Sequence, residues 1–134
     1  MRKINVAVIG AGYWGKKVIH EYVQLAKQNS HIRLQAVCDF LEENLKYCEN
    51  YSVPWVTKYH KEVISSPEVS AINICTPNEA HYEICKEALE AGKHVLVEKP
   101  MTLNSAEAYE LVELAHKQNL VLSVGHLYRF NNAL

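Results

Sequence analysis

Glycines 10, 12 and 15 carry the clearest chemistry in the sequence. Gly10-Ala11-Gly12-Tyr13-Trp14-Gly15 has the spacing G-x-G-x-x-G. The spacing alone is a weak signal, but here it directly follows the apolar run 4–9 and directly opens a stretch with helical periodicity. In that setting Gly10 allows a tight turn. Gly12 removes a side chain where a diphosphate must approach the main chain, and Gly15 lets the helix pack closely on the strand. The helix start adds unpaired N–H groups and partial positive charge, which suit an anion. Tyr13 and Trp14 fill the variable positions and are expected to border the same ligand. A plain glycine turn is the bland alternative.

Asp39 ends the next apolar run, where the adenosine ribose of a dinucleotide would lie. A carboxylate there can accept from both ribose hydroxyls and repels a 2′-phosphate. Phe40 and Leu41 follow, with no Arg or Ser to receive that phosphate, so the expected cofactor is NAD rather than NADP. A solvated Asp ending a strand is the competing reading. Thr76-Pro77-Asn78 follows a further apolar run and is placed at the carboxyl end of a strand, beside the switch point where ligands bind. Thr76 and Asn78 offer short polar groups, and for Asn78 capping of the next helix competes equally with cofactor contact. His81 falls in the first turn of that helix, where a lone histidine is more often a surface residue than a ligand. Glu98-Lys99-Pro100 closes another strand. Lys99 would face the cofactor crevice, where a cationic nicotinamide favours the neutral amine and suits it to proton transfer. An ordinary exposed lysine is the alternative.

These residues need elements to hold them. Strands are expected at 4–9, 32–38, 53–57, 69–75, 94–98 and 121–124. Helices are expected after the glycine loop (Val18, Ile19, Tyr22, Val23 and Ala26 on one face), over 41–50, 59–65 and 79–91, and after Asn104. Gly92 is placed to end the fourth helix. Asn104 with Glu107 makes an N-terminal cap, and Ala108, Leu111, Val112 and Ala115 form the last apolar stripe. Strict alternation implies right-handed crossovers and an α/β fold: a Rossmann-type doubly wound parallel sheet, helices on both faces, in the order 3-2-1-4-5-6.

At 134 residues, 49% hydrophobic and 22% charged, the chain has the composition of one soluble domain. The net charge is −1 and its Lys and Arg residues are scattered, which argues against nucleic acid as a partner. No apolar run is long enough for a membrane span, and Arg2-Lys3 before a short apolar stretch does not make a signal peptide. Cys38, Cys48, Cys75 and Cys85 form no C-x-x-C pair and are read as reduced core thiols in a cytoplasmic protein. The seven histidines show no metal-binding spacing, so no metal is expected.

Four segments resemble the Gfo/Idh/MocA oxidoreductases, the glucose-fructose oxidoreductase and inositol dehydrogenase group. They are 8–15, Thr76-Pro77-Asn78 with His81, 91–100 with its Glu98-Lys99-Pro100, and Val124-Gly125-His126 with Arg129-Phe130-Asn131. They run in the family's order over essentially the whole chain. The resemblance implies an NAD-dependent dehydrogenase acting on a secondary alcohol of a sugar or cyclic polyol, or on the corresponding ketone. It implies that Lys99 reaches the nicotinamide ribose and substrate, that Glu98 lies on the nicotinamide side with His81 close by, and that the Lys99–Pro100 bond is cis. It further implies that 1–125 is the NAD-binding domain and that 126–134 begin the passage to a second α/β domain. That domain would hold the substrate pocket, the lysine's Asp and His helpers and often an oligomer interface. An excised domain, a truncated frame and half of a split enzyme all fit such a chain. On this reading it binds NAD, turns over sugars negligibly, and exposes a crevice apolar enough to favour self-association into a homo-oligomer.

Two other classes stay in view. A stand-alone NAD(H)-binding or sensing module would work without Lys99. An S-adenosylmethionine methyltransferase also places a glycine loop after its first strand and an acid after its second, but Glu98-Lys99-Pro100 argues against it.

Overall fold

The computed structural model describes residues 2–126. Six strands form one parallel sheet: β1 (Ile4–Ile9), β2 (Ile32–Cys38), β3 (Trp55–Thr57), β4 (Ala71–Ile74), β5 (His94–Glu98) and β6 (Leu122–Gly125). Their order is β3-β2-β1-β4-β5-β6, the one expected from the sequence. The chain reverses its direction of travel across the sheet after β3, so the carboxyl ends of β1 and β4 flank a natural crevice.

Helices α1 (Tyr13–Gln28), α2 (Glu42–Leu45), α3 (His60–Ser65), α4 (His81–Glu90) and α5 (Ser105–Lys117) make the crossovers. Strand alternation sends side chains to two separate cores. Val8, Leu34 and Val37 meet Ile19 of α1 and Leu45 of α2 on one face. Ala7, Ile9, Ile72, Ile74, Val95 and Val97 meet α3, α4 and α5 on the other. Leu34 and Val37, three apart, share a face because the β1–β2 register slips between Val6 and Ala7. That slip leaves Gln35 as an extra residue.

Local signals account for most boundaries. Asn104 Oδ1 accepts from the Glu107 N–H at 2.9 Å, capping α5 as expected. Gly92 follows α4 with φ +77°, the left-handed conformation that stops a helix. Three expectations need correction. The segment 41–50 is not one helix: α2 is a single turn and a 3-10 segment, Lys46–Asn50, continues it. Val112 is half-exposed at 51%, and Leu114 packs against the core instead. The strands expected at 53–57 and 69–75 are shorter at one or both ends.

Cys38, Cys48 and Cys85 are buried, Cys75 is half-buried, and all four are free thiols. Among the described residues no helix is long and apolar enough to cross a membrane, and no group of His, Cys, Asp and Glu is placed to hold a metal ion.

Candidate functional site

The glycine loop joins β1 to α1 under tight steric limits. Gly10 has φ +99°, and a Cβ there would lie 2.6 Å from the Cys75 main chain. A Cβ on Gly15 would lie 1.9 Å from the Gly10 carbonyl oxygen. These two glycines let the turn, the first helix and the end of β4 press together. Gly12 differs, since a Cβ there would meet nothing within 4 Å. It faces open space at the helix start. No side chain caps α1, and its first turn holds no acidic residue. The first N–H groups of α1 are therefore free to receive an anion.

Asp39 is 8% exposed and braces this loop. Its Oδ2 accepts from the Ala11 N–H at 2.8 Å and from Asn44 Nδ2 at 3.1 Å, and its Oδ1 accepts from the Leu41 N–H at 2.8 Å. Two carboxylate oxygens can accept about four hydrogen bonds, so Asp39 retains some capacity for a ribose hydroxyl while fixing the end of β2 to the loop.

These elements bound a crevice of about 840 Å³. Gly10, Gly12, Asp39, Thr76 and Pro77 line it, bringing together five residues singled out from the sequence. Phe40, Leu41 and Asn44 line it after β2; Lys58, His60 and Lys61 come from the end of β3 and from α3; Ala80, Glu83, Ile84 and Glu87 come from α4 and the turn before it. Sequence reasoning missed this second group. The one signal present was position, since each follows a strand's carboxyl end or sits on the next helix.

The remaining expected residues lie outside that crevice. Tyr13 is 81% exposed. Trp14 instead borders a shallow groove with Lys17, Val18, Tyr22 and Asn73. Asn78 is exposed and caps neither α4 nor the 3-10 turn before it, so the capping alternative is not realised. His81 is the clearest departure from a surface reading, because its ring is fully buried. Nδ1 lies 2.7 Å from the Pro100 carbonyl oxygen and Nε2 lies 3.0 Å from that of Thr76. The imidazole thus links the loop after β4 to the turn after β5. The Thr76 hydroxyl is enclosed and lacks a partner.

Lys99 projects from that turn and is exposed, and the Lys99–Pro100 bond is cis. Among the described residues Lys99 makes no ion pair. Glu98 is half-buried, with its carboxylate against Gly125, where an added Cβ would come within 3.0–3.1 Å of its oxygens. Burial first, and the Glu98 charge second, push the Cys75 thiol up to about 12, so it stays protonated at neutral pH. His126 ends the described chain, and the landmarks Arg129, Phe130 and Asn131 fall outside it.

A family model described as an oxidoreductase family with an NAD-binding Rossmann fold, Gfo/Idh/MocA, matches residues 4–126. The chain belongs to the Gfo/Idh/MocA oxidoreductase family. It is an NAD-binding Rossmann domain of that family. It is 30% identical to the uncharacterized oxidoreductase YrbE of Bacillus subtilis over 97% of its own length and 37% of that protein. It is 33% identical to a D-glucoside 3-dehydrogenase of Escherichia coli, over 95% of this chain and 36% of that one. Among solved structures, scyllo-inositol dehydrogenase from Lactobacillus casei with bound NAD(H) and scyllo-inositol superposes with a TM-score of 0.85 at 25% identity, covering 98% of this chain and 38% of that one. The chain therefore spans well under half the length of these relatives. The open space at Gly12, the uncapped start of α1 and the brace at Asp39 fit a dinucleotide.

Proposed function

We propose that this Gfo/Idh/MocA domain presents NAD to a secondary alcohol of a sugar or cyclic polyol, and that Lys99 handles the hydroxyl proton. Bound NAD supplies the hydride acceptor at nicotinamide C4. The chain does the rest. Gly12 and the start of α1 receive the diphosphate, and Asp39 accepts from the adenosine ribose and disfavours a 2′-phosphate. Thr76 and Pro77 form the crevice wall toward the nicotinamide half, and Glu98 lies on that side. Lys99 Nζ takes the proton of the substrate hydroxyl as the carbinol carbon gives up hydride, and returns it in the reverse direction. Tyr13, Trp14, Asn78 and His81 belong to the rim and supports of this site.

The observation that carries the reading is the combination of an unobstructed Gly12 with an uncapped α1 over a crevice that Asp39 lines. The relatives' names support the substrate class: a D-glucoside 3-dehydrogenase and a scyllo-inositol dehydrogenase both oxidise a ring carbinol. Residues 1–125 act as the cofactor domain and 126–134 lead toward a second domain carrying the substrate pocket. The isolated chain accordingly binds NAD and turns over sugars negligibly. Titration of the chain with NADH and NADPH, followed by Trp14 fluorescence, tests this. Saturable binding that prefers NADH is expected. No binding of either, or tighter binding of NADPH, would refute the cofactor assignment, and ordinary dehydrogenase rates from the isolated chain would refute the division of labour.

A further inference from the structure

Past Asp39 the crevice does not fade into open solvent. Its outer wall is built by α3 and α4, and His60, Lys61 and Glu87 line it. His60 Nε2 lies 3.2 Å from Glu87 Oε2, and Lys61 Nζ lies 3.7 Å from Glu87 Oε1. One carboxylate is thus held between two nitrogen groups on adjacent residues. The Glu87 side chain remains 32% exposed, so its oxygens keep unused acceptor capacity. The neighbouring wall is apolar, made by Ala80 and Ile84 of the α4 side and by Phe40 after β2.

Apolar walls leading to a donor and acceptor pair suit a flat heteroaromatic ring with hydrogen-bonding groups on its far edge. A diphosphate at Gly12 and a ribose at Asp39 direct the attached base toward this end of the crevice. We propose that Glu87, oriented by His60 and Lys61, reads the amino edge of the adenine. This rests on the NAD reading above and adds a base-specificity device to it. The Glu87 carboxylate accepts from the 6-amino group, and the Lys61 ammonium donates to an adjacent ring nitrogen. A carboxylate cannot donate. Hypoxanthine, which carries a carbonyl oxygen in place of that amine, would set oxygen against oxygen at the Glu87 carboxylate and lose that hydrogen bond.

The test is calorimetric titration of the full chain with NADH and with reduced nicotinamide hypoxanthine dinucleotide, repeated for Glu87→Gln. The wild-type chain should favour NADH about tenfold, the ratio expected from one hydrogen bond to a charged group. Glu87→Gln should bind the two within about twofold of each other, because an amide can turn either its oxygen or its NH₂ toward the base. If Glu87 only ties α3 to α4, the variant would weaken both ligands by one factor and leave the ratio intact. Equal wild-type affinities, or an unchanged ratio in the variant, overturn the proposal and leave the cofactor reading standing. Absence of NADH binding overturns both.

Discussion

Replacing Gly12 and Gly15 by alanine, one at a time, should separate binding from folding. The two glycines lie three residues apart, yet their surroundings are opposite. A methyl at Gly12 meets no protein atom within 4 Å, and the residue's φ of −74° suits alanine. Alanine is a poorer helix cap than glycine by about 0.5–1 kcal/mol, while stiffening the unfolded chain returns about 0.4–1 kcal/mol. The two nearly cancel, so the melting temperature of Gly12→Ala should stay within about 5 °C of wild type. Its methyl does occupy the approach to the α1 N–H groups. A strain of about 1–3 kcal/mol against a bound diphosphate weakens NADH roughly five- to hundredfold. Gly15→Ala behaves in the reverse way. Its Cβ would sit 1.9 Å from the Gly10 oxygen and 2.8 Å from the Gly10 carbonyl carbon, both main-chain atoms that no rotamer change can move. The loop or the helix must shift, at a cost of about 3 kcal/mol or more, and the melting temperature should fall by more than about 10 °C. Thermal unfolding by circular dichroism and NADH titration measure both quantities on both variants. If Gly12→Ala keeps wild-type affinity, or unfolds as readily as Gly15→Ala, the open space at residue 12 is not where the diphosphate sits.

Asp39→Ala removes the acceptor of the buried Ala11 N–H and of two further donors. We expect a loss of about 3 kcal/mol in urea unfolding together with weaker NADH binding. Lys93 is buried and donates to the carbonyls of Ser66 at 2.6 Å and Val69 at 2.7 Å. Lys93→Met should cost about 2–3 kcal/mol by orphaning both acceptors, and NADH affinity should not change because the site lies at the opposite, amino-terminal end of the strands. Burial pushes the thiols of Cys38, Cys75 and Cys85 from 9.0 up to about 12. Folded values above the unfolded one mean that the unfolded chain releases protons first, so stability is intact below about pH 9 and declines as pH rises toward 12. Unfolding at pH 8 and pH 10 should differ by roughly 1 kcal/mol per thiol, and a stability that rose over that interval would contradict the burial of these groups. Lys99→Ala should still bind NADH saturably but abolish turnover in any form of the protein that has a substrate pocket.

The strands β1, β2 and β5 were legible residue for residue because each concentrates apolar and β-branched residues in a short run whose centre is buried by neighbours on both sides. The segment 41–50 was less so. Leu45 and Cys48 carry the helical spacing, yet the chain tightens to 3-10 after Leu45, and the Asn44 side chain ties this turn to Asp39, a tertiary bond that no local pattern announces. Val112 neighbours Leu111 in sequence but is turned about 100° away from it around the helix axis, outside the stripe that faces α4. The glycine loop and Asp39 could be read because their chemistry is local. The outer wall of the crevice could not, because Lys58, His60 and Glu87 converge from elements far apart in the chain. The burial of His81 is hidden from the sequence for a related reason. Its partners are main-chain carbonyls, which every residue possesses, so no side-chain pattern marks its burial.

The two borders of the sheet carry a consequence of their own. An open sheet exposes unpaired N–H and C=O groups along its outermost strands, and these can recruit other chains into aggregates. Among the described residues the outermost strands are β3, of three residues, and β6, of four. Pro54 sits immediately before β3 and has no N–H to offer. The hydrophobic, aggregation-prone runs of β1 and β4 are held at the centre, with a neighbour on each side. Lengthening the β3 border, by replacing Pro54 with a β-branched residue, would therefore be expected to trade solubility for intermolecular strand pairing.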